Sequence, residues 1–506
     1  MSEFQFDIAK GPFAPNLDSL RTFCCPEWYR DAKFGIWSHW GPQSVPMYGD
    51  WYARHMYKEG SEQYRYHWRT YGHPSKFGYK DLVPLWKAEN FDPEGLMRLY
   101  VEAGARYFVG QAMHHDNFDN FASKHNPWNS VNVGPKKDIC LLWKRAAEKF
   151  GLPFGVSEHL GASYTWMSLS HGADKTGPYA GVPYDGADPK NASLYRDNDS
   201  ELLEHGWYTR NEKYHQDWYR RIRDVVDTLQ PELLYTDGPL PFGTYGEHLV
   251  AHLYNASAAR HGGASQAVYT QKGTDPAIYK VGVLDIERGI SAEIAEDPWQ
   301  DDTSIGDWFY NVRDVYKTAE DIVDTLVDVV AKNGNLLVNV TQRPDGTIDD
   351  ECLYALKKIG AWMRDNGEGI YATRPYVKMG EGESKLAAGA FQEGAAAWTG
   401  EDYRFTRSKD GNTVFAFRMR EGRTRIVSLG RVYERPVRQV SVYGQPVPFV
   451  QKDGCLDVYD QEYAGRNRRY YRITPKGRQQ LAEALEEWEH YKTRLDRVFY
   501  DGGTTR

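Results

Sequence analysis

The sequence predicts an α/β protein: a (β/α)8-like TIM barrel, then a C-terminal antiparallel β-sandwich and a terminal helix. Three observations carry this expectation. Short apolar runs alternate with amphipathic helical stretches from about residue 33 to 366. Several of the runs end in polar, chemically able residues: Ser38-His39-Trp40-Gly41, Met113-His114-His115-Asp116, Thr236-Asp237-Gly238 and Glu287-Arg288-Gly289. After Arg374-Pro375 the texture turns to short alternating stretches and Gly-rich turns.

Taken in order, the strands are expected at 33–40, 106–114, 153–159, 232–237, 267–271, 281–287 and 336–340. An eighth should lie between 291 and 308, where the pattern is poor. Helical spacing of apolar residues marks 93–103, 138–150, 211–229, 247–261, 319–332 and 353–366; in the first, Leu96, Leu99 and Tyr100 share a face. Repeated strand-then-helix units imply a parallel sheet, and this many favour closure. Beyond the barrel, 413–418, 424–429, 439–443 and 455–459 read as strands, and 380–394 as a mobile loop. The last stretch pairs a basic hairpin with a helix at 475–499, on which Leu481, Leu485, Trp488, Leu495 and Phe499 recur at helical spacing. The expected domains are therefore 1–375, 376–460 and 461–506.

Bulk properties narrow the class. A hydrophobic content of 41% supplies a large core, and a net charge of −8 argues against nucleic-acid or membrane-surface binding by the chain as a whole. Aromatic residues reach 14%, which suits a big core or a carbohydrate site. Five cysteines, two of them adjacent at Cys24-Cys25, with no CxxC or zinc-like spacing, fit a reducing compartment. The first residues lack a signal-peptide pattern and no apolar stretch approaches about 18 residues, so the expected location is cytoplasmic.

An acid at the C-terminal tip of a covered parallel strand faces the mouth of a barrel, where such enzymes do chemistry. Asp237, closing Leu233-Leu234-Tyr235-Thr236-Asp237, is the leading candidate; the competing reading is a cap on the following segment.

Longer motifs carry a resemblance. WYRDAKFGIWSHWGPQSVPMYGDWYARHMY, FVGQAMHHDNFDNFASKHNPWNS, LLYTDG, NGNLLVNVTQRPDGTI and GIYATRPY, from Trp28 to about Asp460, resemble glycoside hydrolase family 29, the α-L-fucosidases. The resemblance implies a (β/α)8-like barrel with a C-terminal β-sandwich. It also implies retaining exo-hydrolysis of terminal α-L-fucosyl residues on oligosaccharides or glycoconjugates, with no cofactor and no metal. By motif match Asp237 is the nucleophile. Glu287 in LDIERG is the chosen general acid/base, with Glu158, Glu293 and Glu296 competing. His39, His114 and His115 resemble hydroxyl contacts. Alternation along a strand argues against His114 and His115 sharing a metal. Trp51 resembles an aromatic wall for the sugar's methyl group, and Asp50 stands where many members have a glutamate. Glu158 joins the expected sugar contacts, and Trp299 is a further candidate for the wall.

Two departures bear on substrate. FGVSEHL carries Ser157, Glu158 and His159 where many members show an aromatic pair, and VYTQKG offers Gln271 or Lys272 where an arginine is common. An α-L-galactoside is therefore a competing substrate, and a non-catalytic sugar-binding sensor is the reading from another class. GRNRRYYRITPKGRQQLAEALEEWEHYKTRLDRVF resembles the wing and helix of PadR-like transcriptional regulators, without their helix-turn-helix reader. A helix that caps the barrel or mediates dimerisation is the reading preferred for this tail, which leaves a homo-oligomer open and expects no nucleic-acid partner.

Overall fold

The computed structural model describes residues 4–198, 200–384, 386–393, 397–421, 426–428, 437–452 and 455–458. Eight parallel strands close a barrel in sequence order. They are β1 (Phe34–Ser38), β2 (Tyr107–Gln111), β3 (Phe154–Glu158), β4 (Leu233–Thr236), β5 (Val268–Gln271), β6 (Val283–Glu287), β7 (Trp299–Ser304) and β8 (Gly334–Asn339). Closure is made by β1 against β8, with Phe34 opposite Leu336. The six longest helices among the described residues pack outside: α1 (Pro93–Glu102), α2 (Ile139–Lys149), α3 (Glu212–Leu229), α4 (Thr244–Arg260), α5 (Ala319–Ala331) and α6 (Asp350–Asn366). No α-helix separates β5 from β6 or β6 from β7, so the β/α alternation is incomplete on that side.

Local sequence explains these elements. Asn211 caps α3 by accepting from the backbone N–H groups of Lys213 and Tyr214, and Thr318 with Asp321 forms a capping box on α5. The barrel interior is filled by Trp37, Tyr107, Val109, Leu233, Tyr235, Val268, Val283 and Leu337. Gly35 leaves room for this filling: a Cβ there would lie 2.3 Å from the Tyr107 ring.

The strand expected between 291 and 308 is Trp299–Ser304, and its burial explains why hydropathy hides it. All six residues are buried, yet five of them are polar or acidic, in the run Gln300-Asp301-Asp302-Thr303-Ser304. The first four each have a partner: Gln300 bonds Tyr29 and Asp285, Asp301 accepts from the Gly289 N–H, Asp302 accepts from Tyr235 and Thr303 donates to Glu393.

Three further strands, β9 (Thr373–Glu381), β10 (Tyr403–Ser408) and β11 (Val414–Arg418), form an antiparallel sheet in the order β11-β10-β9. Described residues up to Glu421 form one compact unit with the barrel, and those after it a second. In the second, β12 (Ile426–Ser428), β15 (Phe449–Lys452) and β16 (Cys455–Val458) pair antiparallel. A separate hairpin joins β13 (Val440–Val442) to β14 (Gln445–Val447) through Tyr443-Gly444, whose φ angles of 48° and 74° suit a two-residue turn. The PadR-like tail lies outside the described residues.

Within the loop expected at 380–394, residues 386–393 are bonded to the end of β6. Asp402 closes the base of this excursion by accepting from the N–H and hydroxyl of both Ser384 and Thr399.

Candidate active site

The C-terminal ends of β4, β5 and β6 bring three charges together. Lys272, just past β5, sits between Asp237 beyond β4 and Glu287 at the end of β6. Its Nζ donates to Asp237 Oδ1 at 2.8 Å and to Glu287 Oε2 in a still shorter contact. One ammonium touching both acids holds those oxygens within two hydrogen-bond lengths, about 5–6 Å.

The two carboxyl groups are driven in opposite directions. Burial alone would raise Asp237, but Lys272 and a hydrogen bond from His115 outweigh it and hold the group well below the usual carboxylate range. Burial also raises Glu287; Lys272 opposes this, Asp302 and Asp237 add to it, and the result lies above the usual glutamate value. Lys272 would lose its proton to burial, but Asp237, Asp302 and Glu287 keep it an ammonium.

Histidines form the floor. His115 Nε2 lies 3.2 Å from Asp237 Oδ2, and its Nδ1 lies 2.6 Å from the His159 carbonyl. Both ring nitrogens thus face acceptors. His39 is buried, and neither of its ring nitrogens has a partner among the described residues. Two unsatisfied buried nitrogens are a demand for ligand hydroxyls. The rings of His39, His114 and His159 lie 4.7–5.0 Å apart by centroid. Burial keeps all three uncharged, His159 down to about 3.

His39, His114 and His159 each bring one ring nitrogen within 4.8 Å of the others, close enough for a transition metal to be considered. The surroundings favour hydroxyls. The Gln43 amide N–H₂ lies 2.9 Å from His114 Nδ1, while Gln43 Oε1 accepts from the Ala53 N–H. The amide therefore donates, Nδ1 accepts, and His114 carries its hydrogen on Nε2, where a cation would need a lone pair.

Aromatic rings wall the site. Trp51 lies 5.9 Å from His115, with Trp166 and Trp207 beside it. Trp308 and Phe309 lie 5.5 and 4.8 Å from His39. Asp50 is half-buried beside Asp307, and desolvation with that neighbour lifts its carboxyl well above the ordinary aspartate value. Glu287 and Asp237 are near enough to add to the rise.

Of the residues expected from sequence, the structure brings together Asp237, Glu287, His39, His114, His115, Trp51 and Asp50. Two lie elsewhere. Glu158 faces the helices: it accepts from the Thr236 hydroxyl, the Leu160 N–H and the Trp218 indole, and its burial lifts it to about 7. Its neighbour Ser157 takes the inward position, bonded to Trp37, so alternation sends Glu158 outward. Trp299 begins β7 at the opposite end of the barrel and donates to the Lys332 carbonyl. The alternation argument for His114 and His115 also fails. The strand ends at Gln111, and on the turn beyond it both rings face the site, 4.4 Å apart. Lys272 and His159 were visible only as departures. Trp207 has no signal in the sequence, whereas Asp307-Trp308-Phe309 follows a strand end, where barrel sites are built.

Two carboxyl groups whose proton affinities are pushed apart, in a barrel mouth lined by imidazole and indole rings, are the equipment of a glycoside hydrolase. The particular family follows from comparison. The chain belongs to the alpha-L-fucosidase family, whose model matches residues 1–368. It is 28% identical over 376 residues to human tissue alpha-L-fucosidase, covering 72% of this chain and 73% of that one. The rat tissue enzyme is 29% identical over 389 residues, 74% of this chain and 76% of its own. Among solved structures, Thermotoga maritima alpha-fucosidase in complex with fucose superposes with a TM-score of 0.65 at 25% identity, covering 88% of this chain and 95% of that one. The Thermotoga maritima alpha-L-fucosynthase bound to alpha-L-Fuc-(1-2)-beta-L-Fuc-N3 gives 0.66 at 26%, covering 89% and 96%.

Proposed function

We propose that the chain is a retaining exo-α-L-fucosidase acting on fucosylated oligosaccharides or glycoconjugates. The observation that carries this reading is Lys272 held between Asp237 and Glu287 while their protonation is driven apart. Retention needs carboxyl groups about 5–5.5 Å apart, one attacking and one protonating. Asp237, kept ionised, attacks the anomeric carbon. Glu287, its carboxyl raised toward the protonated form, gives a proton to the glycosidic oxygen and then takes one from the water that releases the sugar. His39, His114 and His159 read the ring hydroxyls, Asp50 bonds another, and the Trp308 and Phe309 rings suit the C6 methyl of fucose. That apolar wall favours fucose over L-galactose, and an intact acid pair disfavours a sensor without turnover.

The described cysteines Cys24, Cys25, Cys140 and Cys352 are all free, which supports a reducing, cytoplasmic setting.

The test is hydrolysis of p-nitrophenyl α-L-fucoside, with the first-formed anomer read by NMR. Asp237→Gly is expected to lower kcat by more than roughly a thousandfold with the fold intact. Near-full activity in that variant, or inverted product from the parent, would refute the reading.

A further inference from the structure

We propose that residues 386–393 build the leaving-group side of the site, with the Phe391 ring as the surface on which the departing saccharide lies. This rests on Glu287 being the general acid. The acid delivers its proton to the glycosidic oxygen, so what flanks it from solvent meets the leaving sugar rather than the fucosyl ring.

The segment comes from beyond the barrel, between β9 and β10, and lies along the strand end that carries Glu287. The Phe391 N–H donates to the Glu287 carbonyl at 2.9 Å and the Glu393 N–H to the Arg288 carbonyl at 2.8 Å. Gly389 and Ile290 exchange backbone bonds of 2.8 and 3.2 Å. Glu393 then anchors in the barrel. Its Oε1 accepts from the Thr303 hydroxyl at 2.7 Å, its Oε2 pairs with Lys317 Nζ at 2.7 Å, and its side chain is 11% exposed. The chain is thus pinned on both sides of Phe391.

Phe391 itself gains nothing from this for the core. It is 66% exposed, with φ of 56°, a left-handed backbone that residues with a Cβ adopt at a cost. The aromatic residues that wall the fucosyl side are more covered: Trp166 and Phe309 are 0% and 1% exposed, and Trp51, Trp207 and Trp308 are half-buried. A pinned segment that holds a bare aromatic ring in an unfavourable conformation, one hydrogen bond from the acid's own carbonyl, is arranged to present that ring. A pyranose offers a flat C–H face to stack on it, so the ligand class is a neutral saccharide leaving group.

The test compares two leaving groups in the full-length enzyme. α-L-Fucosyl fluoride departs with no sugar behind it; a panel of α-L-fucosyl disaccharides departs with one. Phe391→Ala is expected to lower the ratio of kcat/KM for the best disaccharide to kcat/KM for the fluoride by about tenfold, chiefly through KM. Phe391→Tyr should restore the ratio. An unchanged ratio in Phe391→Ala overturns the proposal, as does a parent enzyme that cleaves the fluoride and none of the disaccharides. A parent enzyme that cleaves no fucoside overturns the assigned reaction itself, and this inference with it.

Discussion

At the scale of single residues, the chemistry turns on one cation serving two acids. Lys272 depresses Asp237 and also opposes the rise of Glu287. Its removal therefore moves both groups the same way, upward. The acid limb of a pH–activity profile follows the loss of a proton from Asp237, and the alkaline limb follows Glu287. Lys272→Met is expected to shift both limbs of kcat/KM to higher pH, the acid limb by roughly one unit or more, while lowering the plateau. Lys272→Arg keeps the charge and should keep the limbs in place. A Lys272→Met profile that falls in height without moving would assign Lys272 to sugar binding alone. The sequence made the acids legible, because Asp237 and Glu287 each close an apolar run. It did not make the lysine legible. In VYTQKG two polar residues stand together, and only the end of β5 at Gln271 decides that Lys272 turns into the mouth. Glu158 was misread for the same reason, since its direction depends on a strand phase set by Ser157 bonding Trp37.

At the scale of elements, the same weakness appears wherever a polar residue is buried against another. The β7 strand is the clearest case, for its Gln300-Asp301-Asp302-Thr303 run has the hydropathy of a loop and the burial of a core. Helix α5 is the second. Asp328 lies 3% exposed by side chain, between Lys332 Nζ at 2.7 Å and Arg404 Nε at 2.6 Å. By helical spacing it reads as an ordinary polar position; in the fold it is the socket that receives β10. Arg404 also lies over the Trp398 ring, 4.6 Å from its centroid. Removing Arg404 leaves the desolvated Asp328 carboxylate to Lys332 alone, at a cost of roughly 2 kcal/mol, below the about 3–5 kcal/mol of a buried charge left wholly unpaired. Arg404→Ala is therefore expected to lower the unfolding free energy by roughly 2 kcal/mol, measured by urea denaturation of the intact chain. A loss below roughly 1 kcal/mol, the size of an exposed pair, would mean that water reaches Asp328 and that β10 is held by its strand pairing instead.

At the scale of the whole molecule, the change of texture after Arg374-Pro375 was legible but not its meaning. A boundary read there puts every later strand in a separate domain. The chain instead keeps β9–β11 in one unit with the barrel, through Arg374 to Asp31, Arg404 to Asp328 and Arg420 to Asp324. Composition marks where the strand period begins, and these cross-chain ion pairs decide which side it packs on. The functional boundary should then fall near residue 421, since every side chain assigned here to the site or its leaving-group side lies before it. A chain ending at residue 421 is expected to hydrolyse p-nitrophenyl α-L-fucoside with kcat/KM within about threefold of the full chain. A chain ending at residue 372 removes Glu393 and Arg404 together, leaving Asp328 with one partner and the acid's strand end bare, and is expected to be inactive or insoluble. If the longer truncation also loses activity while its circular dichroism stays native, the residues after Glu421 contribute to the reaction directly, and the barrel with its added sheet is not a sufficient catalyst.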